Sequence, residues 1–266
     1  MGGFLAVLIV LAIIGLIIYA MVIAARRNRE RLAALAGWCN ANGFRFDEGD
    51  PFNIDGRFNG IAEIGRGHAR FAHEICSRND PVPTWIFRYQ YRTWETRTVT
   101  DSEGRSHTET YEQTHHCSYL IVELGSQFPL LFIRPENFLD KMVGFIGFDD
   151  INFESEAFSR KFHVKSDDRA FASAIIHPQM MEWMLPLRFE GQLRGPLFVS
   201  DIGRLPVTAE GHQQALSMAC GFINRIPQFV WQDYGKRAPI VLPEPSGYQS
   251  PNGISQETVR PAAPPG

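Results

Sequence analysis

Residues 4–24 read FLAVLIVLAIIGLIIYAMVIA, and no charged side chain interrupts them. As a helix rising about 1.5 Å per residue, the stretch covers about 31 Å, close to the hydrocarbon thickness of a bilayer. Fourteen of its residues are Leu, Ile, Val or Phe, and each favours insertion by about 0.3 to 0.6 kcal/mol near the membrane centre. A core helix of a soluble protein keeps a polar stripe, which this stretch lacks. A secretory leader carries a positive n-region and an apolar core of about 7 to 15 residues, whereas Met1-Gly2-Gly3 is uncharged and the run here is longer. The sequence therefore predicts a transmembrane anchor over residues 1–25, with the lipid bilayer as partner of residues 4–24.

Arg26, Arg27, Arg29 and Arg31 follow the span directly, and the stub before it has no basic side chain. Positive charge stays on the cytoplasmic side, so the expectation is a single-pass inner-membrane protein with its N-terminus outside and the rest of the chain in the cytoplasm. Residues 26–43 continue in good helix formers as far as Gly43, a natural helix terminator. Leu32, Leu35, Trp38 and Cys39 fall on one face. This helical connector should dock on the domain and make the tether stiff.

Residues 44–234 carry the aromatic and apolar content of one folded α+β domain, expected to be a mainly antiparallel sheet packed with three or four helices. Between Phe44 and Arg78, glycines and Asp50-Pro51 break short strands. The clearest β signal is Trp85–Thr100 and His107–Leu124, which flank Asp101-Ser102-Glu103-Gly104 and should pair as a long hairpin. Alternation places Trp85, Phe87, Tyr89 and Tyr91 on one face, with Arg88, Gln90, Arg92 and Trp94 on the other. A symmetric loop would set Glu95 against Glu112, a like-charge pair that argues for a slipped register. Further on, the pattern gives a strand at Leu130–Ile133 ended by Pro135 and an amphipathic helix at 136–146. A helix capped by Asp167 or Asp168 and broken at Pro178, with a turn at Met180–Leu185, comes next. A hairpin at Phe189–Val199 and a final helix at Thr208–Ile226 complete it. Residues 235–266 hold seven of the seventeen prolines and few large apolar groups, the composition of a disordered tail.

A net charge of −3 and a pI near 6.2 disfavour nucleic acid as a partner. The four cysteines lack paired short spacings and read as buried thiols. His115-His116-Cys117 would aim His115 and Cys117 at one face, but a zinc site would need His107, His73 or Cys76 from elsewhere in the chain. Gly65-Arg66-Gly67 lacks the lysine of a phosphate loop and reads as a turn. Asp149-Asp150, Glu154, Glu156, Asp167 and Asp168 have no partner fixed by spacing and belong in turns and caps. The cluster Met180–Met184 reads as core, and Pro261 to Pro264 as spacer. The sequence thus nominates no catalytic, cofactor-binding or metal residue and no cofactor.

The stretch 153–185, FESEAFSRKFHVKSDDRAFASAIIHPQMMEWML, together with the N-terminal span, resembles an uncharacterised family of bacterial membrane-anchored proteins that carry a domain of unknown function. The resemblance extends over residues 26–234 and implies a bacterial inner membrane without implying an activity. The functional expectation is a membrane-tethered interaction or accessory module with a protein partner of unknown identity. Two other readings stay open: an enzyme whose site is assembled from non-local residues, and an envelope protein with its domain outside, which the arginine placement opposes.

Overall fold

The computed structural model describes residues 2–100, 104–135 and 151–245, with side-chain environments from residue 7 onward. The N-terminal anchor and its connector form one uninterrupted helix, α1 (Gly2–Ala41). Its end is closed by Gly43, whose φ of 72° is open to glycine at little cost. The Phe44 amide donates to the Cys39 carbonyl at 2.8 Å and the Gly43 amide to the Asn40 carbonyl at 3.3 Å, the paired bonds of a Schellman motif. Every residue from Val7 to Val22 is exposed, whereas Leu35 and Cys39 of the same helix are fully buried.

A six-stranded antiparallel sheet follows, confirming the α+β class. Its strands are β1 (Arg45–Asp47), β2 (His68–Arg78), β3 (Thr84–Thr100), β4 (Ser106–Pro135), β5 (Phe162–Ser166) and β6 (Gly191–Asp201). The order is β1-β2-β3-β4-β5, and β6 pairs with β4 along its other edge. The helices are α2 (Ile54–Arg57), α3 (Glu156–Ser159), α4 (Arg169–Ile175), α5 (Pro178–Met184), α6 (Ala209–Ile223) and α7 (Gln228–Asp233).

The expected hairpin is β3–β4, and its register is slipped by one from the symmetric guess. Phe87 faces Tyr119, Tyr89 faces Cys117 and Glu95 faces Tyr111, so the Glu95–Glu112 clash is avoided and Tyr111 donates its hydroxyl proton to Glu95 at 3.1 Å. Leu130–Ile133 belongs to the same strand, because β4 runs through an irregularity between Glu123 and Phe128 and ends at Pro135. Gly125, at φ 64°, lies within that irregularity.

Other expectations are corrected. Phe189–Val199 is no hairpin: Gly191 to Asp201 is one strand laid along β4, in which Gly191 allows close packing and Gly195, at φ 55°, sits at an irregularity of the pairing. Pro178 does not merely break a helix but opens α5 at its first position, with His177 as its cap, and Met180–Met184 is helical rather than a turn. Pro there loses nothing, since the first amides of a helix have no internal partner. Asp168 caps α4 as expected. The final helix ends at Ile223, and α7 follows it. Residues 235–245, expected in the tail, pack on α6: Ile240 and Leu242 are buried, and Asn224 exchanges two bonds with the Leu242 backbone at 2.8 and 2.9 Å. The expected helix at 136–146 and the rest of the tail lie outside the described residues.

The sheet is buried on both faces. Ile86, Leu120 and Val122 face a large cluster containing Leu35 and Cys39 of α1, Phe171 of α4, Leu216 and Phe222 of α6 and Trp231 of α7. Trp85, Phe87, Tyr89 and Tyr91, on the other face as alternation required, meet Ile54, Phe58 and Ile64 from α2 and the segment after it. Beyond Arg92 the β3–β4 pair has lost β2 and continues as a two-stranded ribbon.

Gly67 shows how tightly the small cap sits on the sheet. Its φ is 61°, and a Cβ there would lie 2.0 Å from the Arg92 carbonyl oxygen. Gly67→Ala is expected to destabilise the domain by about 2 kcal/mol or more, read as a lowered denaturation midpoint; an unchanged midpoint would refute this close approach.

Candidate functional site

Two features of the fold stand out: a seam that holds helix α1, and a groove beside the small cap.

The seam begins with Arg31, whose two terminal nitrogens donate to the two Glu74 oxygens at 2.7 Å each and whose Nη1 also donates to the Val207 carbonyl at 3.2 Å. A two-pronged guanidinium–carboxylate pair fixes direction as well as distance. Glu74 sits in a β2 irregularity with φ 52° and also receives Arg88 at 3.2 Å. Burial alone would raise its carboxyl, but Arg31, His73 and Arg88 outweigh that and hold it well below the usual carboxylate range. Two turns farther along α1, Trp38 stacks on Phe44, meets the edge of His212 and donates Nε1–H to Gln213 at 2.6 Å. Gln213 in turn donates to the Pro245 carbonyl at 3.3 Å. Anchor, sheet, α6 and the C-terminal segment thus meet at one place. The apolar face foreseen at Leu32, Leu35, Trp38 and Cys39 is the docked face.

The groove, about 710 Å³ in volume, runs between residues 59–66, the second half of β4 and β6. That is within the range of small-molecule sites. Phe128, Leu130, Phe132 and Val199 make its apolar part, and Glu63, Arg66, Arg194 and Asp201 its charged part. The 59–66 segment is pinned from several sides. Arg194 donates to the Gly60 carbonyl at 3.1 Å, and the Gly65 amide donates to the Tyr89 hydroxyl at 3.0 Å. Tyr89 donates to Asp55 at 2.5 Å, and Tyr91 donates to Glu63, which also receives Cys117 at 3.8 Å. Burial, aided by Asp55, pushes the Tyr89 phenol up to about 12, so it remains a donor at any physiological pH. Glu63 and Asp201 are occupied with holding their own loops, Asp201 accepting from the Gly203 amide at 2.8 Å. The arrangement suits binding of a partly apolar, partly charged group.

The residues weighed from sequence fall elsewhere. His115 stacks on Tyr91 and bonds Thr93 at 2.7 Å. His73 and Cys76 lie on the opposite face from Cys117, and His107 sits out on the ribbon opposite Val99, so the structure does not assemble them. Among the described residues no group of three His, Cys, Asp or Glu is placed to hold a metal ion. Glu154 and Glu156 are exposed, Asp167 accepts from the Leu130 amide at 2.9 Å and Asp168 caps α4. Asp149 and Asp150 are outside the described residues. Met180 and Met184 are core. Gly65-Arg66-Gly67 does form a turn, and its first two residues line the groove. The Arg31–Glu74 clamp and the groove itself were missed from sequence, because both join residues whose pairing depends on the register and irregularities of β2.

No family model matches the chain, and no curated protein matches it. Among solved structures, the crystal structure of the mycobacterial trehalose monomycolate transport factor A, TtfA, is similar at a TM-score of 0.47 and 9% identity, covering 75% of this chain and 97% of that one. A likeness at that level says nothing about activity.

The seam should respond to acid in two stages. Burial lowers the His212 pKa below its ordinary 6.5, so the unfolded chain takes up that proton first. Its contribution to stability is whole above pH 6.5 and falls away below it. Glu74, whose folded pKa is depressed, contributes fully above the usual carboxylate range and loses that only in stronger acid. The thermal midpoint of the full chain in detergent should drop between pH 7 and pH 5, and the drop should shrink in His212→Gln. An equal drop in both chains would contradict the assignment.

Proposed function

We propose that this protein is a single-pass accessory module of a bacterial inner membrane, its N-terminus outside and its α+β domain presented to a protein partner in the cytoplasm. The observation that carries the reading is α1: its apolar portion is exposed from Val7 to Val22, while its last turns are clamped into the domain core. A helix of that composition is stable only with lipid around it. The arginines at 26, 27, 29 and 31 support the orientation. A docked anchor presents the same side of the domain to the same depth of solution, which suits a module that must meet another membrane component.

The ribbon is the candidate contact surface. Among the described residues, 93–100 and 106–113 pair with each other alone and extend about 26 Å at about 3.3 Å per residue. Arg97 and Glu109 pair across it at 3.0 Å, and Arg92 at its base pairs with Glu112 at 2.8 Å. Trp94 on it is 65% exposed and stacked against His68. An exposed tryptophan is the residue type that anchors interfaces. The groove favours a second reading, binding of a small amphipathic ligand, for the reason given by its mixed lining.

A photo-crosslinking residue at Trp94, activated in intact cells, should give one recurrent protein adduct that is lost when residues 102–105 are deleted. A reporter enzyme active only after export, fused to the C-terminus, should stay silent in the same cells. No adduct at Trp94, or an active reporter, would contradict the partner or the orientation respectively.

A further inference from the structure

We propose that Cys39 and Cys76 are a reversible dithiol–disulfide couple that, when oxidised, locks α1 covalently to β2. Both side chains are fully buried, one in the last turns of the anchor helix and the other in the strand that carries Glu74. Their sulfurs stand 2.6 Å apart, only about 0.6 Å beyond an S–S bond of about 2.0 Å and closer than two sulfurs rest without bonding. The other two cysteines are placed differently. Cys117 is on the opposite face of the sheet beside Glu63, and the Cys220 thiol donates to the Pro243 carbonyl at 3.4 Å. The pairing is therefore specific to the seam, and it does not depend on the groove or the ribbon.

Chemistry and burial make the couple conditional. The thiolate is the reactive form, and the neighbouring Cys39 sulfur, together with burial, pushes the Cys76 thiol far above its ordinary value. While α1 is docked the pair is inert. Exchange proceeds when the last turns of α1 lift and one sulfur, deprotonated in water, attacks a low-molecular-weight disulfide. One thiol leaves and a mixed disulfide forms; the second protein sulfur then displaces the remaining thiol. One S–S bond is made in the protein and one is broken in the oxidant, two electrons pass to the oxidant, and the two protein thiol protons end on the two released thiols. In the reduced state the seam relies on the Arg31–Glu74 clamp and on packing around Leu35 and Trp38. In the oxidised state its opening is blocked by a covalent bond. Thiol pairs on the cytoplasmic side of a membrane are typically redox-responsive rather than permanently bridged, which fits a reversible couple.

The test uses the full-length chain in detergent, equilibrated with oxidised glutathione or with excess dithiothreitol, then acid-quenched, denatured, alkylated and weighed. The reduced sample should take four alkyl groups, one on each cysteine, and the oxidised sample two. Digestion should yield a linked pair of peptides containing Cys39 and Cys76, lighter by two hydrogens, and dithiothreitol should restore all four sites. Four alkyl groups in both samples, glutathione adducts without an internal link, or a link through Cys117 or Cys220 would overturn the proposal. In Cys39→Ser the internal link should be absent, and its persistence would overturn it as well.

Discussion

A helix can be wrapped in lipid along one stretch and buried in protein along the next only if its backbone carries through without a break, and α1 does so over Gly2–Ala41. The hydrophobic effect acts on both stretches but demands different surroundings. Around Val7–Val22 the side chains point outward in all directions, which water penalises and hydrocarbon does not. From Arg31 onward one stripe turns inward, with Leu35 and Cys39 fully buried and Trp38 partly so. A polar interval, Arg26–Glu30 with its ion pair at 2.9 Å, separates the two stretches. The direction in which the apolar stretch leaves the domain follows from that continuity.

The sheet answers to the same constraint. Its anchor-facing side must receive α1 as well as α4, α6 and α7, so it carries the larger cluster, and the irregularity in β2 that puts Glu74 at φ 52° turns a carboxylate toward Arg31. Among the described residues, α2 and the 58–66 segment cover the opposite side. Where that small cap stops, Leu130 and Phe132 are left at the wall of a groove. The tether and the groove are therefore on opposite faces of one sheet, and β3 and β4 connect both to the ribbon.

What could be read from the residues was whatever repeats locally. Alternation placed Trp85, Phe87, Tyr89 and Tyr91 correctly on one face, helical spacing found the docked side of α1, and Gly43 and Asp168 marked their helix ends. Features set by distant contacts were not legible. Gly191 and Gly195 look like turn residues in isolation, yet Gly191 packs against Phe189 and Phe198 and both belong to one strand paired with β4. Prolines at 239, 243 and 245 suggest disorder, yet Ile240 and Leu242 among them fill α6's outer face. The one-residue slip of the hairpin was signalled by a charge clash without its direction being fixed. The groove has no sequence signature, because Glu63, Arg66 and Arg194 meet only after β2, β4 and β6 are in register.

The central claim is that the anchor is a rigid extension of the domain, and a distance measurement across the seam tests it most directly. Spin labels at Arg29 on α1 and Gln232 on α7, both exposed, report that separation in the full chain reconstituted in bilayers. The account requires a single distance distribution no wider than the labels' own rotamers, and a markedly broader one in Arg31→Ala. A broad distribution in the unmodified sequence, unchanged by removing Arg31, would mean that the helix swings freely and that the docked anchor is not a property of the protein.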